Sequence, residues 1–160
     1  MIKQLPIGHY RVHLTYAPFP SLADLKKELG KNRVSDLFDG QHKWELHASR
    51  VGIDRMPGKQ TFFLNHIGRD WNREEQIAWG LAQHNTVAPN GYLTVTHEEA
   101  YEFLKAHPEF DGYIALGSST LSEDGQYVVG FVNNGLCAFD SRWLINDKFP
   151  PRHFVLFVSK

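Results

Sequence analysis

The feature that most constrains the fold of this chain is a run of short, apolar segments in its last third. These strand-like segments are residues 113–116, 127–132, 136–139 and 154–158. Turn-forming residues separate them, and the connections are too short to hold the helical crossovers that parallel neighbours require. We therefore predict a mostly antiparallel sheet here. The Asn134-Gly135 dipeptide between two apolar segments predicts a hairpin.

Two helices are predicted before this sheet, each from a capping signal at its start. Asn72 is followed three residues later by Glu75, and Thr96 by Glu99, which is the spacing of a capping box. The first helix is expected to end near Asn85. Its core-facing stripe is predicted to consist of Ile77, Ala78, Leu81 and Ala82. The second helix is predicted to bury Ala100, Phe103 and Leu104.

The N-terminal part predicts a smaller set of elements. Apolar and polar residues alternate from Tyr10 to Tyr16, which is the period of a half-buried strand. Ser21 is placed to cap a helix over 22–29, and residues 43–48 resemble a second strand. The Pro57-Gly58 pair divides residues 1–58, an N-terminal αβ extension, from residues 59–160, although the two can form one continuous domain. Helices ahead of a strand cluster indicate an α+β fold.

Composition and charge limit the class of protein. Apolar residues make up 42% of the 160 residues and charged residues 22%, which excludes a disordered chain. With 17 basic and 18 acidic residues, the net charge of -1 argues against nucleic acid as a partner but leaves room for a local basic patch. A single cysteine, no signal peptide and no long apolar run lead us to expect a cytoplasmic protein with no membrane partner.

Residues 61–160 resemble the C-type-lectin-like fold in a form without disulfides. The resemblance lies in Leu93-Thr94-Val95-Thr96 before the second helix, in Tyr113-Ile114-Ala115-Leu116-Gly117 as the core strand, and in Phe154-Val155-Leu156-Phe157-Val158 as the closing strand. It implies that the closing strand pairs back near Phe62-Phe63. The calcium-ligand triplets of sugar-binding members are absent, so calcium-dependent binding is not implied. Short strings such as residues 71–79 are also similar to segments of small bacterial proteins that have no assigned activity.

The same resemblance points to a candidate binding surface, because it places residues 133–148 in the variable, ligand-facing region of the fold. Asp140-Ser141-Arg142-Trp143 and Arg69-Asp70-Trp71-Asn72-Arg73 each put tryptophan beside arginine and aspartate, in what we expect to be loops. Trp and Arg dominate binding hot spots. The predicted ligand-binding residues are Asn133, Asn134, Asp140, Arg142, Trp143, Asn146 and Asp147, with Arg69 and Trp71.

Other candidate chemistry is less specific. His9 and His13 would share one face of a strand, but about 13 Å apart, which is too far for one metal ion. The helix from residue 97 holds a histidine-carboxylate group that could act as an acid-base pair: His97, Glu98, Glu99, Glu102 and His107. Acids in a first helical turn are also what the helix dipole favours. We expect no metal and no cofactor.

Three functions remain open from the sequence. The first is a non-enzymatic binding module for a protein or small ligand, acting without calcium. The second is a small hydrolase or phosphodiesterase that uses histidine with aspartate or glutamate. The third is an accessory subunit of a larger assembly, which would display a large apolar patch on its N-terminal strands.

Overall fold

The computed structural model describes residues 7–16, 22–29, 47–48, 57–65, 72–107, 111–115, 120–121, 127–134, 137–144 and 154–160. The elements in chain order are β1 (Gly8–Leu14), α1 (Leu22–Leu29), β2 (His47–Ala48), β3 (Gly58–Asn65), α2 (Arg73–Ala82), β4 (Tyr92–Thr94), α3 (His97–Ala106), β5 (Asp111–Ala115), β6 (Thr120–Leu121), β7 (Tyr127–Asn134), β8 (Cys137–Leu144) and β9 (Phe154–Ser159). This architecture confirms the predicted α+β class.

The described strands form one sheet in the order β1-β3-β9-β5-β7-β6-β2, with β4 beside β9 and β8 beside β7. Their pairings are antiparallel, except that β5 and β9 run parallel. The long connection between these two contains the antiparallel pair of β7 and β8, in which Asn133 pairs with Cys137 on the two sides of the predicted turn. Residues 135–136 of that turn lie outside the described residues. The closing strand also returns where it was expected, since Phe62 pairs with Val158 and Phe63 with Phe157.

The N-terminal strand belongs to this same sheet. β1 pairs with β3 along its whole length, from Gly8↔Leu64 to Leu14↔Gly58. The predicted alternation is confirmed, because Val12 is 5% exposed and Leu14 0%, while Arg11 and His13 beside them are exposed. The helix over 22–29 has its predicted bounds. Of the strand predicted over 43–48, the structure describes its last two residues, as β2.

Helices α2 and α3 cover opposite faces of the sheet. The Phe62 ring packs against Phe103 of α3 at a centroid distance of 5.5 Å. The next residue, Phe63, stacks on Trp79 of α2 at 6.1 Å. Because successive residues of a strand point to opposite faces, these two contacts place one helix on each side.

The side of α2 that faces the sheet differs from the prediction. Ala78, Leu81 and Ala82 are exposed, whereas Gln76 and Gly80 are buried. The reason is close packing at Gly80, where a Cβ atom would lie 2.8 Å from the Tyr92 carbonyl oxygen and 2.9 Å from the Phe157 ring. The helix therefore turns its glycine, rather than its apolar stripe, toward the sheet, and it ends at Ala82 instead of near Asn85.

The start of α3 confirms its predicted capping box. The Thr96 amide donates to Glu99 Oε1 at 2.9 Å, and the Glu99 amide donates to Thr96 Oγ1 at 3.3 Å. Together these bonds satisfy two backbone donors that a helix start leaves open. The predicted core residues of this helix are also buried: Ala100, Phe103 and Leu104.

Candidate functional site

Part of the predicted binding surface lies in described strands. Asn133 and Asn134 end β7, and Asp140, Arg142 and Trp143 belong to β8. The remaining predicted positions lie outside the described residues: Arg69, Trp71, Asn146 and Asp147.

The prediction that Asp140-Ser141-Arg142-Trp143 forms a loop is wrong, because the string is the middle of β8. Its apolar flanks are held in the ladder on both sides. Phe139 pairs with Phe131, and Leu144 pairs with Tyr127. The polar string therefore belongs to a strand, and pairing with β7 fixes the conformation of its backbone.

The β7–β8 register shifts within this string. Asp140 pairs with Gly130 and Trp143 with Val128, so the two residues Ser141 and Arg142 oppose Val129 alone. This is the pattern of a β-bulge, which bends an edge strand and redirects the residues around it. Asp140 and Trp143 are therefore paired with residues that are two apart in β7. Among the described strands, β8 pairs with β7 alone.

The last two residues of the second tryptophan-containing string, Asn72 and Arg73, form the start of α2. Asn72 is the N-cap, accepting a hydrogen bond from the Glu75 amide at 2.9 Å. Arg73 is the first helical residue and is half-buried. Burial lowers the pKa of the Arg73 guanidinium, and the neighbouring carboxylate of Glu74 partly opposes this effect. These residues begin a helix and do not continue an exposed loop.

The carboxylates of α3 hold the end of β1 in place. Glu99 Oε2 accepts a hydrogen bond from the Tyr16 hydroxyl at 2.5 Å. Glu102 Oε1 accepts from the Thr15 amide at 2.9 Å and from the Thr15 hydroxyl at 2.6 Å. His97 Nε2 lies 4.0 Å from Glu98 Oε1, a longer contact than these. Glu99 and Glu102 therefore act as anchors between the helix and the strand.

Glu99→Ala is expected to lower the free energy of unfolding by about 1.5 kcal/mol, because it removes the capping box and leaves the Tyr16 hydroxyl without its acceptor. Urea denaturation followed by circular dichroism measures the change. Glu98→Ala removes the same charge from the same helical turn and is the control. If both variants lose equal stability, the loss reflects charge near the helix start and not the anchor.

A second cluster was not predicted from the sequence. His9 stacks on Phe63 with ring centroids 4.8 Å apart and planes 23° apart, and Phe63 in turn stacks on Tyr92 at 5.3 Å. His9 Nε2 also lies 2.5 Å from the Tyr92 hydroxyl, which accepts a 3.3 Å hydrogen bond from Asn85 Nδ2. His9 is exposed and Tyr92 is 1% exposed. The alternation around Tyr10 predicted the strand, but only the register with β3 brings these rings together.

Searches beyond this geometry assign no activity. Within the described residues, no group of three or more His, Cys, Asp or Glu side chains could hold a metal ion. None of the described helices is both long and apolar enough to cross a membrane. Comparisons with protein-family models, with curated proteins and with solved structures found no match.

Proposed function

We propose that this chain is a recognition module that binds a protein or a small ligand without calcium, through the edge formed by β8. The observation that carries the proposal is the β-bulge at Ser141–Arg142 in an edge strand. Bulges are enriched at sheet edges and beside functional sites, where they redirect side chains. Here the bulge lies within the one described strand that combines aspartate, arginine and tryptophan.

The arrangement of the strands supports a C-type-lectin-like fold for residues 61–160. The closing strand β9 pairs with β3, and two capped helices precede the strands that follow. In that fold the segment containing β8 faces the ligand. The proposed recognition edge therefore coincides with the region that the resemblance assigns to binding.

The chemistry of the edge suits an extended or polar partner. On the side away from β7, the backbone of β8 has no partner among the described strands and can pair with an added strand. Arginine provides a planar fork of donors, and tryptophan provides a large contact area at low entropic cost. We propose that Arg142 and Trp143 carry most of the binding energy.

The two other functions have less support among the described residues. On α3, Glu99 and Glu102 Oε1 anchor the end of β1, and Glu102 Oε2 is buried without a hydrogen-bond partner among the described residues, so an acid-base role there rests on this one oxygen. An accessory subunit docking through its first strand would need a large apolar surface there. The exposed side of β1 is polar, since it consists of His9, Arg11 and His13.

The test is affinity capture from a lysate of the source cells with immobilised wild type and Arg142→Ala/Trp143→Ala, each with and without EDTA. We expect the double variant to recover any partner of the wild type at least about tenfold less well, and EDTA to have no effect. Lys105→Ala, which removes an exposed cation from α3, is the control and should capture normally. Undiminished capture by the folded double variant would contradict the role of β8.

A further inference from the structure

The exposed side of β1 and β3 carries a line of nitrogen-bearing side chains, which we call the β1 cationic row. It consists of His9, Arg11 and His13 from β1 and Lys59 from β3. Arg11 pairs with Thr61 and His13 with Lys59, so the members share one face of the sheet. Each of the four is exposed.

The β1 cationic row is electrostatically uncompensated in the described part of the chain. Arg11, His13 and Lys59 make no ion pair or side-chain hydrogen bond there. The remaining residues of β3 on this face are neutral, including Thr61 and Phe63. The net charge of -1 for the whole chain therefore conceals a local positive strip.

Aromatic rings continue the β1 cationic row at its His9 end. His9 stacks on Phe63 with planes 23° apart, and Phe63 stacks on Trp79 with planes 13° apart. The three rings are nearly parallel and extend from the strand edge to α2. The contact of His9 Nε2 with the buried Tyr92 hydroxyl fixes the outermost ring. The outcome is a preorganised, exposed ring beside two cationic side chains, Arg11 and Lys59.

We infer that the β1 cationic row binds single-stranded nucleic acid, with phosphates along Arg11, His13 and Lys59 and a base stacked on His9. The row is about 13 Å long from His9 to His13, because a strand rises about 3.3 Å per residue. A line of this length matches a chain of phosphates better than one isolated anion. Stacking requires unpaired bases, which a duplex does not offer. An acidic peptide would neutralise the cations but would leave the ring unused.

The inference concerns a different surface from the recognition edge proposed above. The β1 cationic row lies at the β1 end of the sheet, whereas β8 pairs with β7 on the far side of β9 and β5. Arg142→Ala/Trp143→Ala is therefore expected to leave nucleic-acid binding unchanged. Failure of one proposal has no bearing on the other.

The test is fluorescence anisotropy with labelled oligo(dT) and oligo(U) of about 15 nucleotides, titrated with the full chain between about 50 and 200 mM salt. Arg11→Ala/Lys59→Ala is expected to raise the Kd about tenfold and to reduce the slope of log affinity against log salt by about 1.4, since each phosphate contact contributes about 0.7. Lys27→Ala/Lys105→Ala changes the net charge equally at exposed helical positions and should bind like wild type.

The stacking contribution is tested separately at His9. His9→Ala is expected to weaken binding at least about fivefold, and His9→Phe, which keeps a ring at this position, is expected to restore most of the loss. Thermal denaturation confirms that each variant is folded.

Four results would overturn the inference. The first is that wild type does not bind at the lowest salt, and the second is that Lys27→Ala/Lys105→Ala loses as much affinity as Arg11→Ala/Lys59→Ala. The other two are that the matching duplex, or an oligo-glutamate peptide, binds at least as tightly as the single strand. The last result would assign the row to an acidic protein segment instead.

Discussion

Gly91→Ala is expected to lower the free energy of unfolding by about 3 kcal/mol. Gly91 has a φ of +85°, which side-chain-bearing residues rarely adopt. A Cβ atom would also lie 2.7 Å from the Leu81 carbonyl oxygen and 3.2 Å from that of Gly80. Both are backbone atoms at the end of α2, so neither can withdraw like a flexible side chain. The substitution therefore combines backbone strain with a collision.

Chemical denaturation of Gly91→Ala and Gly91→Asn separates these two causes. Asparagine tolerates positive φ but has the same Cβ atom. If the collision dominates, both variants lose similar stability. Recovery of wild-type stability by Gly91→Asn would contradict the collision and leave backbone strain as the cause.

Gly80→Ala is expected to lower the free energy of unfolding by about 2 kcal/mol, although alanine is favoured over glycine in a helix by about 1 kcal/mol. The new methyl group would meet the Tyr92 carbonyl oxygen and the Phe157 ring, each closer than 3.0 Å. Phe157 is fully buried, and its ring centroid lies 5.2 Å from that of Trp79, so the ring has little room to move. The steric cost therefore exceeds the gain in helix propensity.

A double-mutant cycle with Phe157→Leu checks this explanation. The smaller side chain removes the ring contact, and we expect a coupling free energy of at least about 0.5 kcal/mol between the two positions. Ala78→Gly, at an exposed position of the same helix, should cost only about 1 kcal/mol through propensity. If Gly80→Ala stabilises the protein, the close approach of α2 to the sheet is wrong.

Local chemistry predicted much of the fold from the sequence. The Thr96–Glu99 capping box, the alternation through Val12 and Leu14, and the antiparallel pairing of β7 with β8 were each predicted from residues a few positions apart. Such signals place an element without knowledge of its neighbours. The return of the last strand to Phe62-Phe63 came from the lectin-like resemblance, and periodicity alone does not contain it.

The errors arose where contacts between distant segments decide the outcome. Hydrophobic spacing predicted that Leu81 faces the core. Glycine, however, permits the closest approach of the helix to the sheet, and Gly80 therefore faces the sheet. The polar composition of the string from Asp140 to Trp143 predicted a loop. In the structure the string is a strand with a bulge, because it pairs with β7. The ring stack at His9 depends on the register of β1 against β3, which no local pattern reveals.

The position of β9 in the chain has a consequence for biosynthesis. Each of its partners, β3, β4 and β5, precedes it, and β4 pairs with no other described strand. A ribosome delivers about 5 to 20 residues per second from the N-terminus onward. Until β9 has been synthesised, the edges of β3, β4 and β5 that pair with it remain unpaired in the nascent polypeptide. Chaperones that shield such edges have their opportunity before residues 154–159 emerge.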